Sequence, residues 1–170
     1  MAPRFTVRGT LPDDWREVRS LRLHALADTP IAFGETLAAA RLHSEDVWRS
    51  RAARDLQEHS TLLVAIDRTG TWAGTMGGVV DGLPDDPLPM LVGVFVEPAF
   101  RGRRVGVADA LLTAVETWAA GEGPALTLHV REDNPRAIAF YESRGFVRTG
   151  VTLPYPLAPG SRELELRKAL

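Results

Sequence analysis

The chain contains no cysteine, which excludes disulfides, thiolate metal sites and a cysteine nucleophile. Lysine is almost absent: Lys168 is the single one, and the other 19 basic residues are arginine. A phosphate loop ending in Gly-Lys-Ser or Gly-Lys-Thr therefore cannot be formed, and the Gly-x-Gly-x-x-Gly dinucleotide fingerprint is missing as well. Positive charge is not in excess. The net charge of -2 lacks the broad basic face that nucleic-acid binding requires. No apolar run approaches membrane-spanning length, and Met1-Ala2-Pro3-Arg4 holds no apolar signal core, so the cytoplasm is the expected location, without a membrane partner. Nor does any cluster of residues suggest a metal site. What is present is ordinary: 170 residues, 45% of them hydrophobic, with four tryptophans as core anchors. That is enough for one domain spanning residues 1–170.

The most informative stretch is an apolar run, Met90 to Val96, followed by a loop rich in arginine and glycine, Glu97 to Ala108. A helix pattern follows, with Ala108, Leu111, Leu112, Val115, Trp118 and Ala119 on one face. Unpaired amides at a helix start, aided by the helix dipole, make a natural anion cradle. Gly106 and Ala108 stay small where a ligand would approach the backbone. A solvated basic turn is the alternative.

A second constellation lies downstream, after the apolar run Ala125 to Val130. In Asn134-Pro135-Arg136-Ala137-Ile138-Ala139-Phe140-Tyr141, the asparagine is a good N-cap and the proline suits the first helical position, while Gly145 can close the C-terminus. Asn134 and Tyr141 are two turns apart and project from one side, about 10 Å apart along the axis. Read alone, they are a cap and a half-buried aromatic.

Together the two segments resemble the GNAT family of N-acetyltransferases. That family's pyrophosphate motif is Arg or Gln, two free positions, Gly, one free position, then Gly or Ala. Arg103-Arg104-Val105-Gly106-Val107-Ala108 matches it at every specified position. The family usually places its arginine three residues after a proline, which here is Arg101 after Pro98, so the Arg103 register implies a loop two residues longer. The segment from Asn134 to Phe146 matches the family's second pattern without a gap.

The pattern of elements agrees with one continuous domain. Phe5 to Thr10 reads as a strand, and Pro12 opens a helix with Val18, Leu21 and Ala25 on one face. Ala32 to Thr36 is irregular, and Ser44 caps a second helix carrying Trp48, Ala52 and Leu56. Strands at Thr61 to Ile66 and Trp72 to Asp81 form a hairpin, and the turn-rich loop Asp81 to Pro87 leads to the strand ending at Val96. Two further strands follow Phe146 and Arg162. The order βααβββαβαββ predicts an α/β (α+β) fold with a mixed, mainly antiparallel sheet of six to seven strands and helices on both faces. It is the order of the acyl-CoA N-acyltransferase fold.

The resemblance implies acetyl-CoA as co-substrate and direct transfer of acetyl to a primary amine, on a small molecule or a peptide, with no acyl-enzyme. Its pantetheine arm would pair with backbone groups of Phe95 and Val96 and bond Asn134. The pyrophosphate would rest on amides from Arg104 through Val105, Gly106 and Val107 to Ala108, with Arg101, Arg103 and Arg104 screening charge. The Val96 N–H would stabilise the oxyanion and Tyr141 would protonate the leaving sulfur. For the base, Glu35, Glu97, His129 and water stay open. Asp81, Asp85 and Asp86 either attract a cationic amine or form a charged turn, and Tyr155 either covers the acceptor or packs between the last strands. A homodimer is compatible with all of this. The other outcomes are a CoA-binding module of the same fold without transfer activity, and an acyltransferase using another acyl-CoA.

Overall fold

A computed structural model describes residues 4–81 and 87–170, with Asp81 described by its backbone alone. Seven strands form one sheet: β1 (Phe5–Gly9), β2 (Ser60–Asp67), β3 (Trp72–Asp81), β4 (Leu88–Val96), β5 (Ala125–Arg131), β6 (Val147–Pro154) and β7 (Arg162–Ala169). Their spatial order is β1-β2-β3-β4-β5-β7-β6. Every neighbouring pair is antiparallel except β4 and β5. That exception follows from the connection, since only a helical crossover links those two strands.

Five α-helices lie among the described residues: α1 (Trp15–Asp28), α2 (Leu37–Arg41), α3 (Glu45–Ala52), α4 (Val107–Ala119) and α5 (Pro135–Glu142). The expected order lacked α2. This short helix forms because the Thr36 side chain accepts the Ala39 N–H and three alanines follow Leu37, a strongly helix-favouring run. The face expected to carry Leu56 is also shorter than the spacing suggested. The α-helix ends at Ala52, the chain tightens into a 3-10 turn over Ala53–Leu56, and Leu56 is 63% exposed.

Helices cover both faces. On one, α4 and α5 bury Val107, Leu111, Val115, Ile138 and Tyr141 against Ala65, Met76, Leu126, Leu128 and Leu166. On the other, α1 and α3 bury Leu21, Leu26, Trp48 and Ala52 against Phe95. Strand alternation divides β4 accordingly: Val94 and Val96 pack on the α4 side and Phe95 on the α1 side. Gly78 is required by this packing, because a Cβ there would meet the Trp118 ring at 2.2 Å.

Candidate functional site

The site begins where β4 leaves its neighbour. β4 and β5 share one paired position, Met90 with Thr127, and the Thr127 hydroxyl donates to Pro89 O nearby. From there to Val96, six residues or about 20 Å of strand, no further β4–β5 pair forms among the described residues. On its other side β4 stays paired to β3, but with one extra residue between Val92 and Phe95, and Gly93 takes φ +62 there. This bulge bends and twists the strand. It also sets which groups face the gap. Glu97 N–H donates to Ala73 O at 2.9 Å, so the alternation of an antiparallel ladder turns the amide and carbonyl of Phe95 toward β3 and those of Val96 away from it. The expected pairing of a ligand with Phe95 is thereby corrected: Val96 presents its polar groups to the gap, and Phe95 contributes its ring to the α1 side.

The loop after β4 reaches α4 through two left-handed glycines, Gly102 at φ +110 and Gly106 at φ +78. Gly106 is the N-cap, and a Cβ placed on it would meet nothing within 4 Å. The amides of Val105 and Gly106 are already bonded to Gly102 O, so they are not available to an anion as expected. The first intrahelical bond runs from Ala110 N–H to Gly106 O. That leaves the amides of Val107, Ala108 and Asp109 pointing out of the helix start. Arg103 and Arg104 are exposed beside them. Arg101 is not with them: its Nε donates to Val96 O at 2.8 Å, and its guanidinium pairs with Asp28 at the end of α1.

Across the gap, α5 has the ends foreseen for it. Asn134 Oδ1 accepts the Ala137 N–H at 3.2 Å, Pro135 is the first helical residue, and Gly145 takes φ +91. The cap uses the oxygen of Asn134 and leaves its NH2 to donate. Tyr141 is 7% exposed, packed edge-on against Phe140 and Phe146. Its hydroxyl has no hydrogen-bond partner among the described residues, and burial pushes its pKa well above the usual phenol range. Arg144, just beyond α5, pairs with Asp109 in the first turn of α4. This bridge ties the Tyr141 helix to the amides of the loop. One apolar cluster thus holds Val96, Val105, Val107, Ala108, Ala137 and Tyr141 together.

A cleft opens at the end of β4, lined by His24, Ala27, Asp28, Phe95, Glu97 and Pro98. Here Glu97 Oε1 lies 3.0 Å from His24 Nδ1. The other base candidates are engaged elsewhere. Glu35 accepts from Arg22, Arg51 and His43. Burial would raise its pKa, but the bonds from Arg51 and His43 and the charges of Arg51 and Arg22 bring it down to about 2. A carboxylate held that firmly ionised is a poor proton acceptor, so Glu35 is an anchor for α1 and α3. His129 stands opposite Glu165 in the β5–β7 ladder, 3.8 Å from its carboxylate. Tyr155 is buried, and its hydroxyl donates to Phe33 O at 2.6 Å under Arg131. It therefore ties the last loop to the segment after α1 and does not pack between the final strands alone. Asp85 and Asp86 lie outside the described residues, as does the side chain of Asp81.

Sequence reasoning missed His24 and Asp28. Their signal was present only in three dimensions, because they occupy the exposed side of an amphipathic helix and meet Glu97 and Arg101 across 73 residues of chain. The whole arrangement can accept an extended chain along Val96, a diphosphate at the start of α4, and a second reactant in the cleft beside Glu97.

The model of the acetyltransferase (GNAT) family matches residues 21–146. A GCN5-related N-acetyltransferase from Kribbella flavida superposes with a TM-score of 0.75 at 25% identity, covering 98% of each chain. A structure from Salmonella typhimurium with acetyl-CoA as its cofactor gives a TM-score of 0.78 at 17% identity, covering 98% of this chain and 94% of that one. An uncharacterized protein of Mycobacterium leprae is 43% identical over 75 residues, 44% of this chain. That match spans about a fifth (20%) of the relative's length.

Proposed function

The chain belongs to the GNAT acetyltransferase family, and we propose that it transfers an acetyl group from acetyl-CoA to a primary amine by direct attack. The observation that carries this is the single β4–β5 pair at Met90 and Thr127, which leaves the Val96 N–H, unpaired among the described residues, at the mouth of a gap bounded by Tyr141 and the start of α4, while Arg101 holds the Val96 carbonyl.

The residues fit a CoA thioester. Open space above Gly106 and the free amides of Val107, Ala108 and Asp109 suit a diphosphate. Asp109 would oppose such an anion, but Arg144 neutralises it at 2.5 Å. We read the loop from Arg101, since that register puts its last small residue, Gly106, at the left-handed cap. Arg103 and Arg104 then screen phosphate, and Arg101 holds the end of β4. The Asn134 NH2 binds the arm, and the Val96 N–H is kept for the reacting carbonyl.

When bound, acetyl-CoA supplies an activated acyl group. The chain's own residues do the rest. Val96 N–H donates to an oxygen gaining negative charge in the gap. Tyr141, kept neutral by burial, donates its proton or a hydrogen bond to the departing sulfur. Glu97, oriented by His24, takes a proton from the incoming ammonium group, directly or through water. An amine held in the cleft beside Phe95 and Glu97 would lie close to the end of β4, and proximity would supply much of the acceleration. Thermal unfolding with acetyl-CoA, free CoA or ATP at about 1 mM is the first test. Both CoA forms should raise the midpoint by several degrees, and ATP should not. A protein that responds to none of them is not a CoA enzyme. Release of free CoA thiol against a panel of amines then reads the transfer itself.

A further inference from the structure

A second charged site lies on the α1–α3 layer, away from the gap. A groove along α3 is lined by Asp46, Val47, Ser50, Arg51, Arg54 and Gln57. Two of its residues, Arg51 and Arg54, are arginines, and behind them Arg51 shares the Glu35 carboxylate with Arg22. Arg54 is half-buried and has no hydrogen bond or ion pair among the described residues. The adjacent Asp55 offers it nothing, because its carboxylate is turned onto the Thr61 hydroxyl at 2.6 Å. The remaining acid, Asp46, is exposed at the rim.

We infer that this groove binds a small oxyanion, a carboxylate or a phosphate, with Arg54 as the principal donor and Arg51, Ser50 and Gln57 around it. A half-buried cation without a partner has lost part of its hydration and gained nothing in exchange. Burial and the neighbouring charge of Arg51 both act against the charged form of Arg54, and the charge of Glu35, already shared by Arg22 and Arg51, only partly offsets them. An oxyanion supplies the missing negative charge and accepts a forked pair of hydrogen bonds, the geometry that guanidinium favours. The site is separate from the acyl-transfer gap. Gln57 precedes Ser60, which pairs with Val79, which in turn pairs with Met90 at the start of β4. Val96, at the other end of that strand, is about 20 Å further on. The groove shares no lining residue with the cleft beside Glu97. It does share Arg51 with the clamp around Glu35 that fixes α1, the helix carrying His24.

The test is thermal unfolding of the full chain with inorganic phosphate, or separately succinate, against chloride at matched ionic strength. Free CoA is present in excess so that the amides at α4 are already occupied. At ten times its dissociation constant the preferred anion should raise the midpoint by about 3 °C, and the larger response identifies phosphate or carboxylate as the ligand group. Arg54→Gln should lose that rise and keep the rise caused by CoA. Without added anion, Arg54→Gln should unfold at or above the wild-type temperature, since a repulsion is removed, and Arg54→Lys should keep part of the response. An equal anion response in wild type and Arg54→Gln, or none above chloride in wild type, overturns the assignment. A chain that fails to respond to CoA leaves this test intact, because the comparison of wild type with Arg54→Gln can be run without CoA.

Discussion

Removing the hydroxyl of Tyr141 separates catalysis from folding in a single substitution. The side chain is 7% exposed inside an apolar cluster, and its oxygen has no partner among the described residues. The oxygen bonds nothing within the described residues and is not among the fully buried unpaired polar atoms, so it keeps contact with solvent and its deletion should leave stability close to unchanged. Ring packing against Phe140 and Phe146 is kept in Tyr141→Phe. In the proposed reaction, the hydroxyl would donate to a sulfur acquiring negative charge. A hydrogen bond to a charged group is worth about 1.5–3 kcal/mol, which is about 10- to 150-fold in rate. The expected result is therefore a turnover lower by that factor, an unaltered CoA response and a melting temperature close to unchanged. The pH dependence adds a second signature. Burial raises the folded-state pKa of Tyr141 above the ordinary phenol value of 10.0. Stability tied to this group is thus complete below pH 10 and lost as pH rises beyond it, because the unfolded chain ionises first. Tyr141→Phe should lose less stability than wild type above pH 10. Unchanged turnover would remove Tyr141 from the chemistry. A melting temperature lowered by several degrees would show that the hydroxyl makes a structural bond, and the reasoning would fail.

Three further substitutions probe the other parts of the site. Gly106→Val puts a β-branched residue at φ +78 and a side chain where the diphosphate would lie; it should cost about 1–2 kcal/mol in stability and eliminate the thermal response to CoA. Glu97→Gln should lower turnover by about 100-fold or more with CoA affinity kept; unchanged turnover would assign the base to water or to another group. Glu35→Gln should destabilise the fold at neutral pH. The drop from 4.5 to about 2 corresponds to about 3 kcal/mol, reduced to about 2 by solvent screening in this partly exposed cluster. A lowered carboxylate pKa stabilises above pH 4.5 and ceases to as pH falls toward 2, so urea midpoints of variant and wild type should converge in acid; a constant gap would mean the charge of Glu35 is not the cause.

Local patterning made the framework legible. Asn134, Pro135 and Gly145 wrote both ends of α5 into the chain, and Val107 to Ala119 announced a buried face by spacing alone. These are interactions within a few residues, which a sequence displays directly. What escaped depends on contacts between distant segments. Nothing near Phe95 or Val96 says which of them faces β3, because that is decided by an extra residue in β4 relative to a partner strand. Nothing near Gly106 says that Gly102 O has already taken two amides of the loop. Arg101 looked like a phosphate ligand beside Arg103 and Arg104, and only Asp28, from the far end of α1, shows that it points inward. Glu35 could pass for a base until Arg22 and Arg51 were seen to surround it.

Those distant contacts also explain how one strand can serve two reactants. The bulge at Gly93 leaves Val96 between two differently built layers. Its side chain belongs to the apolar cluster of α4 and α5 that also packs around the Tyr141 ring. Its carbonyl is held by Arg101, whose other end is bonded to α1 through Asp28. Because α1 also carries His24, which contacts Glu97, the setting of the proposed base and the orientation of the Val96 peptide both depend on one guanidinium. Arg101→Lys would keep the charge but cannot make both bonds in the same geometry. A change in that one side chain should therefore disturb amine selection and turnover together while CoA binding, which depends on the α4 amides, persists.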